Sequence, residues 1–218
     1  DPRSTMVAGS NAVALPANLR QTSIELVADA VTEAQVDLSR SADQGTISIV
    51  FSDIESSTQR AEALGDERWF ELLSIHNEIV RREVAAHHGT EIKAQGDGFM
   101  LTFPSARGAV RCMANIQRLL ADHSESDPAN AVRVRVGIHT GEAIADEDGD
   151  LFGRHVNRAA RIANEADGGE ILVSALVREI IEPRGDVEFG DARVAQLKGL
   201  TGPQTMYPIV WGAGDVPS

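Results

Sequence analysis

The stretch Thr90-Glu91-Ile92-Lys93-Ala94-Gln95-Gly96-Asp97-Gly98-Phe99-Met100-Leu101-Thr102-Phe103 decides the fold, because two short strand-like runs meet at a glycine-rich turn. Thr90 to Gln95 and Phe99 to Phe103 are expected to pair as a hairpin with Gly96-Asp97-Gly98 at its tip. Upstream, Thr46 to Phe51 reads as an apolar strand, and Trp69 to Val84 carries helical periodicity until Gly89 ends it. Downstream, a helix is expected from about Ala106 to Leu120. Val132, Val134, Val136 and Ile138 then alternate with Arg133, Arg135 and Gly137, the pattern of a strand with one buried face.

The resulting order, βαββαβ, is the split βαβ arrangement of an antiparallel sheet backed by helices. The expected class is α+β, a ferredoxin-like palm core with additional C-terminal strands and helices. Gly141 turns the chain into another strand, Arg154 to Glu165 forms a helix stopped by Gly168-Gly169, and shorter strands near Ile171 and Tyr207 follow. Ahead of the core, Thr22 and Glu25 have the form of a capping box, and Ile24, Val27, Val31, Ala34 and Leu38 recur at three- and four-residue steps. That helix either lies on its own domain or pairs with a second copy as a dimerising or signal-transmitting element. Asp1 to Thr5, ahead of Met6, reads as an expression-vector remnant. The expected divisions are 1–45 for this remnant, the N-terminal helix and a linker, 46–211 for the main domain, and 212–218 for a tail.

With 42% apolar and 24% charged residues, the 218-residue chain has the mixture of a folded globular protein. The mildly apolar run from Met6 to Leu19 is interrupted by Ser10, Asn11 and Pro16, and it lacks a basic start, so no membrane segment or signal peptide is expected. Cys112 is the single cysteine, which excludes an internal disulfide and fits a cytoplasmic location. A formal charge of −13 argues against nucleic-acid binding, which needs a basic footprint. A polyanionic substrate would have to be met locally, by bound cations and a few placed Lys or Arg side chains.

Asp53 ends the first strand and Asp97 sits at the hairpin tip, so pairing of the hairpin beside that strand would bring the carboxylates together, both partly exposed at element ends. Hard oxygen ligands of this kind suit Mg²⁺ or Mn²⁺ and leave positions open for phosphate and water. Either Asp alone also reads as a cap or turn residue; the pair is what carries information. Asn157 and Arg161, four apart on one helix face, suit a phosphoryl group gaining charge. A lysine donor at Lys93 with an aspartate acceptor at Asp150 complements N1 and the N6 amine of adenine. His139 and His155 read as structural or exposed rather than catalytic, and Cys112 as packing.

The run FSDIESST at 51–58, Lys93 to Asp97 on a hairpin, and Asp150-Leu151-Phe152-Gly153 leading into Val156-Asn157-Arg158-Ala159-Ala160-Arg161 resembles the class III nucleotidyl cyclases in order, residue type and spacing, from about Thr46 to Val210. The resemblance implies an adenylyl cyclase, converting ATP to 3′,5′-cyclic AMP and pyrophosphate by attack of the ribose 3′-hydroxyl on the α-phosphate. It implies two divalent metals, Mg²⁺ or Mn²⁺, on Asp53, Asp97 and the backbone carbonyl of Ile54. Lys93 and Asp150 would read adenine, Asn157 and Arg161 would stabilise the transition state, and Lys198 in Gln196-Leu197-Lys198-Gly199 would meet the triphosphate. Sites are expected to be shared across a homodimer. A guanylyl cyclase would carry Glu at position 93 and a smaller residue at 150, a diguanylate cyclase would carry a Gly-Gly-Asp-Glu-Phe signature, and a non-catalytic module would lack one of these positions.

Overall fold

The computed structural model describes residue 24 and residues 45–145 and 151–212. Asp150, the tail from 213 and all of the N-terminal heptad stripe except Ile24 lie outside the described residues. In chain order, β1 (Ile47–Ile54) is followed by α1 (Ser57–Leu64) and α2 (Asp66–Ala86), then by the hairpin β2 (Thr90–Gln95) and β3 (Gly98–Phe103). Next come α3 (Ala106–Ser126), β4 (Val134–Gly141), the short pair β5 (Ile144–Ala145) and β6 (Leu151–Phe152), and α4 (Arg154–Asn164). The chain then forms β7 (Ile171–Ser174), α5 (Ala175–Ile181), β8 (Arg193–Ala195) and β9 (Gln204–Pro208). Helices α1 and α5 and strand β8 had no separate signal in the sequence reading.

The seven-stranded sheet has the order β2-β3-β1-β4-β7-β9-β8, and β5 pairs with β6 outside it. Its first four strands are the ferredoxin-like core expected from the βαββαβ pattern, with β1 antiparallel to both β3 and β4. Gln95 pairs with Gly98, so the hairpin loop is only Gly96-Asp97, and Gly98 already belongs to β3. Gly96 has φ +62°, a value that favours glycine and permits so tight a reversal.

Both faces of the sheet are covered. Val50 and Ile54 of β1 pack with Leu72, Val80 and Val84 of α2 and with Val110, Met113 and Ile116 of α3. Ile49 and Phe51 point the other way, onto Ala159, Ala160 and Ala163 of α4. This double coverage explains why β1 is apolar on both faces from Ile49 to Phe51, and why Ser48, buried as well, pairs with the Thr140 hydroxyl. It also corrects the reading of β4 as a strand with one open face. Residues Gly137, His139 and Gly141 lie beneath α4 and are buried, and Arg135 is largely so.

α4 can lie this close because the strand below it has no side chain at the contact. A Cβ at Gly137 would come within 2.1 Å of the Ala163 nitrogen and 2.7 Å of the Ala159 carbonyl oxygen, both backbone atoms that cannot rotate away. Gly137→Ala should therefore lift α4 and destabilise the fold by about 1–3 kcal/mol, with loss of any function that α4 carries. Urea denaturation measures this; a variant as stable as the wild type would mean that α4 does not rest on Gly137.

Candidate active site

Asp53 is the seventh residue of β1 and lies on the face that α4 covers. It is 1% exposed, and Asp97 is 4% exposed, so neither carboxylate is at the open element end that the sequence suggested. The register supplies the reason. β4 pairs Asp53 with Arg135, and the guanidinium grips the carboxylate at both oxygens, Nε to Oδ1 at 3.0 Å and Nη2 to Oδ2 at 2.7 Å. The hairpin tip brings Asp97 to the same strand end, where its Oδ2 accepts the backbone N–H of Ile54 at 2.8 Å. Ile24, helical and 1% exposed among Ile49, Phe51 and Met100, covers this face, and its backbone N–H also hydrogen-bonds Asp53.

Burial pushes the Asp53 carboxyl up to about 6, opposed by Arg135, with the neighbouring charge of Asp97 adding to the rise and the Ile24 N–H opposing it. Two carboxylates held against each other in a buried strand end are an arrangement that a divalent cation would relieve. Glu55, the next residue, leaves the pair: its Oε1 accepts the Gly168 N–H at 2.9 Å and anchors the loop after α4.

α4 begins at Gly153, whose φ of +122° suits glycine alone. Asn157 and Arg161 are both half-buried, on successive turns of this helix and over the same sheet face as Asp53. Lys93 is half-buried on the edge strand β2, opposite Met100 of β3. Lys198 is exposed in the turn between β8 and β9. The structure thus gathers Asp53, Asp97 and Ile54 at one point, puts Asn157 and Arg161 on one helix, and leaves Lys93 and Lys198 on separate elements.

Arg135 is the site residue that sequence reasoning missed. In the run Val132 to Val136, Arg133 and Arg135 look equivalent, and strand periodicity assigns both to an open face. Pairing separates them, since Arg133 bonds the Gly168 carbonyl whereas Arg135 bonds Asp53.

The profile of the adenylate and guanylate cyclase catalytic domain matches residues 40–210. The chain belongs to this cyclase family. Its structural neighbours are class III cyclases, among them the guanylyl cyclase Cya2, with a TM-score of 0.68 at 26% identity over 77% of this chain and 92% of that one. The adenylyl cyclase CyaB from P. aeruginosa superimposes with a TM-score of 0.68 at 25% identity over 76% and 93%. Putative adenylate cyclase 3 of Rhizobium meliloti is 34% identical over 165 residues, 71% of this chain and 28% of that protein. The chain therefore spans under a third of that relative's length, and smaller shares of the fungal adenylate cyclases it matches.

Class III cyclases use divalent metal ions, and the carboxylate pair of this domain suits one by donor chemistry, although a cation would have to displace Arg135 from the Asp53 oxygens and reach past Ile24. The donor set is hard oxygen, and the Asp53 carboxyl is raised by burial and by its acidic neighbour. Among the described residues no group of three or more His, Cys, Asp or Glu side chains could hold a metal, so two carboxylates would leave the remaining positions to backbone, water and substrate oxygens. A proton competes with metal for Asp53, so the rise in thermal midpoint on adding Mn²⁺ should be full above pH 7 and fade as pH falls through about 6. Without metal, the same carboxyl favours the folded state below pH 4 and progressively less up to pH 6. Scanning calorimetry across this range checks both; an Mn²⁺ shift equal at pH 5 and pH 8 would exclude Asp53 as a ligand.

Proposed function

We propose that residues 46–211 form an adenylyl cyclase catalytic domain, which converts ATP to 3′,5′-cyclic AMP and pyrophosphate at sites shared across a homodimer. The observation that carries this reading is the convergence of Asp53 and Asp97 at one buried strand end; in the shared arrangement this pair would serve one site, while Asn157 and Arg161 on α4 of the same chain would serve the other. The adenylate cyclase names among the relatives support it at the level of the family.

In the reaction, the ribose 3′-hydroxyl oxygen bonds to the α-phosphorus, the bond from that phosphorus to the bridging oxygen of the β-phosphate breaks, and the hydroxyl proton is lost to solvent. Mg²⁺ or Mn²⁺, two per site, held by Asp53, Asp97 and the backbone carbonyl of Ile54, would acidify the hydroxyl and neutralise the triphosphate. Arg161 donates to the α-phosphate oxygens as charge gathers there, and Asn157 holds a ribose oxygen in line. Lys93 donates to adenine N1 and Asp150 accepts from its N6 amine, which favours ATP over GTP. Lys198 meets the triphosphate from its exposed turn. Incubation of the purified chain with ATP or GTP and either metal, followed by chromatography, tests the whole reading, and absence of cyclic AMP under both metals would remove it.

Base choice gives a sharper test. Lys93→Glu with Asp150→Gly should weaken ATP use and raise relative GTP use, since a polar group shut away from water against the wrong base costs on the order of 1–3 kcal/mol. Full retention of ATP preference would show that these two residues do not read the base.

Shared sites predict complementation. Asp53→Ala and Arg161→Ala homodimers should each be nearly inactive, since losing one oriented donor can cost about a hundredfold in rate. In a heterodimer one site carries both defects and the other neither, so equal mixing with free exchange should restore roughly a quarter of wild-type sites. If each site lay within one chain, the mixture would stay as inactive as its components, once subunit exchange had been verified.

A further inference from the structure

α4 starts without the support that a helix N-terminus ordinarily has. Gly153 offers no side-chain cap, the first turn holds no acidic residue, and Arg154 adds a positive charge where the helix dipole is already positive. A chain of buried polar side chains contacts this turn instead. His155 Nδ1 lies 2.8 Å from Nε2 of His139, with the ring planes within 17° of each other, and His139 Nδ1 lies 2.8 Å from Ser174 Oγ. His139 is fully buried, and Ser174 is itself fixed as the N-cap of α5, where its Oγ accepts the Val177 N–H. The chain therefore runs from the first turn of α4, through the end of β4, to the start of α5.

The surrounding backbone is shaped for it. A Cβ at Gly141 would lie 2.4 Å from the His155 ring, so β4 ends in glycine where that ring rests. Either direction of donation satisfies the histidine pair, because in each one a single proton lies between His155 Nδ1 and His139 Nε2. Burial, with His155 and Arg158 nearby, pushes His139 far down and keeps it neutral. His155 faces His139, Arg154, Arg158 and Glu142, and burial together with the two arginines pushes it down as well.

We propose that His155 is a positioning residue for nucleotide turnover: its hydrogen bond to His139 pins the uncapped first turn of α4 and so sets where Asn157 and Arg161 point. This inference rests on the cyclase reading of those two residues. Asn157 lies two residues along the same turn, and its backbone N–H closes that turn onto the Gly153 carbonyl. A turn released from His139 would leave Asn157 and Arg161 on a helix still packed through Ala159, Ala160 and Ala163. The expected result is a loss of rate rather than of fold.

The test uses the full chain with ATP and Mn²⁺. His155→Ala should lower kcat about tenfold to a hundredfold, the scale of a small misplacement, while the ATP KM stays near wild type and the thermal midpoint falls by only a few degrees, the cost of leaving His139 Nε2 without its partner. His155→Asn should recover most of the lost rate, because Asn Oδ1 stands where the imidazole Nδ1 stood and accepts from His139 Nε2. His155→Ala turning over at the wild-type rate, or His155→Asn as impaired as His155→Ala, overturns the proposal. A ¹⁵N–¹⁵N coupling across the hydrogen bond, measured by NMR without substrate, should join His139 Nε2 to His155 Nδ1; its absence also overturns it. A wild-type chain that makes no cyclic nucleotide from ATP or GTP, yet shows this coupling, would instead locate the failure in the cyclase reading and end the role of His155 in turnover with it.

Discussion

β1 is hydrogen-bonded along both edges and covered on both faces, and the site is a consequence of where that strand stops. A side chain on its α4 face near the end has no route to bulk water, so a carboxylate there must meet a cation or hydrogen-bond donors, or hold its proton. Asp53 does some of each: Arg135 and the Ile24 N–H hold it as an anion, while burial raises its pKa to about 6. Asp97 enters from the hairpin tip and is tied to β1 through the Ile54 N–H. The two acids are thus fixed relative to one strand rather than to each other, and their mutual repulsion is retained.

The second fixed point is the contact of α4 with β4. Gly137 admits the helix backbone, small alanines line its underside, and Gly141 admits the His155 ring. Each glycine replaces a side chain that the sheet would otherwise project into the helix. The helix that carries Asn157 and Arg161 is therefore located by a close backbone contact along its length and by a polar chain at its start. Close packing leaves such a helix little freedom to shift, which is what the proposed role of Asn157 and Arg161 as aimed donors would require.

The charge pattern follows the same logic. With a net charge of −13, the chain would repel the nucleotide triphosphate of the proposed reaction over most of its surface. Of its 20 Lys and Arg residues, four are assigned to the proposed site: Arg135 at the carboxylates, Arg161 on α4, Lys93 on the hairpin and Lys198 in the β8–β9 turn. Arg135 is notable because, in the arrangement described, it lies on a carboxylate that a divalent cation would also claim.

Much of this was legible in the residues. The order of the main strands and helices, the tight turn at Gly96-Asp97-Gly98 and the sharing of one helix face by Asn157 and Arg161 follow from local periodicity and spacing, which depend on neighbours within a few positions. The convergence of Asp53 with Asp97 follows only on the condition that the hairpin pairs beside β1, as it does. What the sequence could not supply was register between distant strands. Arg135 pairs with Asp53 across 82 positions, Glu55 reaches Gly168 across 113, and His139 finds Ser174 across 35 and His155 across 16. The burial of both carboxylates, the closure of the face of β4 that looked open and the polar chain under α4 were decided by tertiary pairing alone. The physical reason is that a period of two tells which residues share a face of a strand but not what lies opposite them, and only the assembled sheet fixes that.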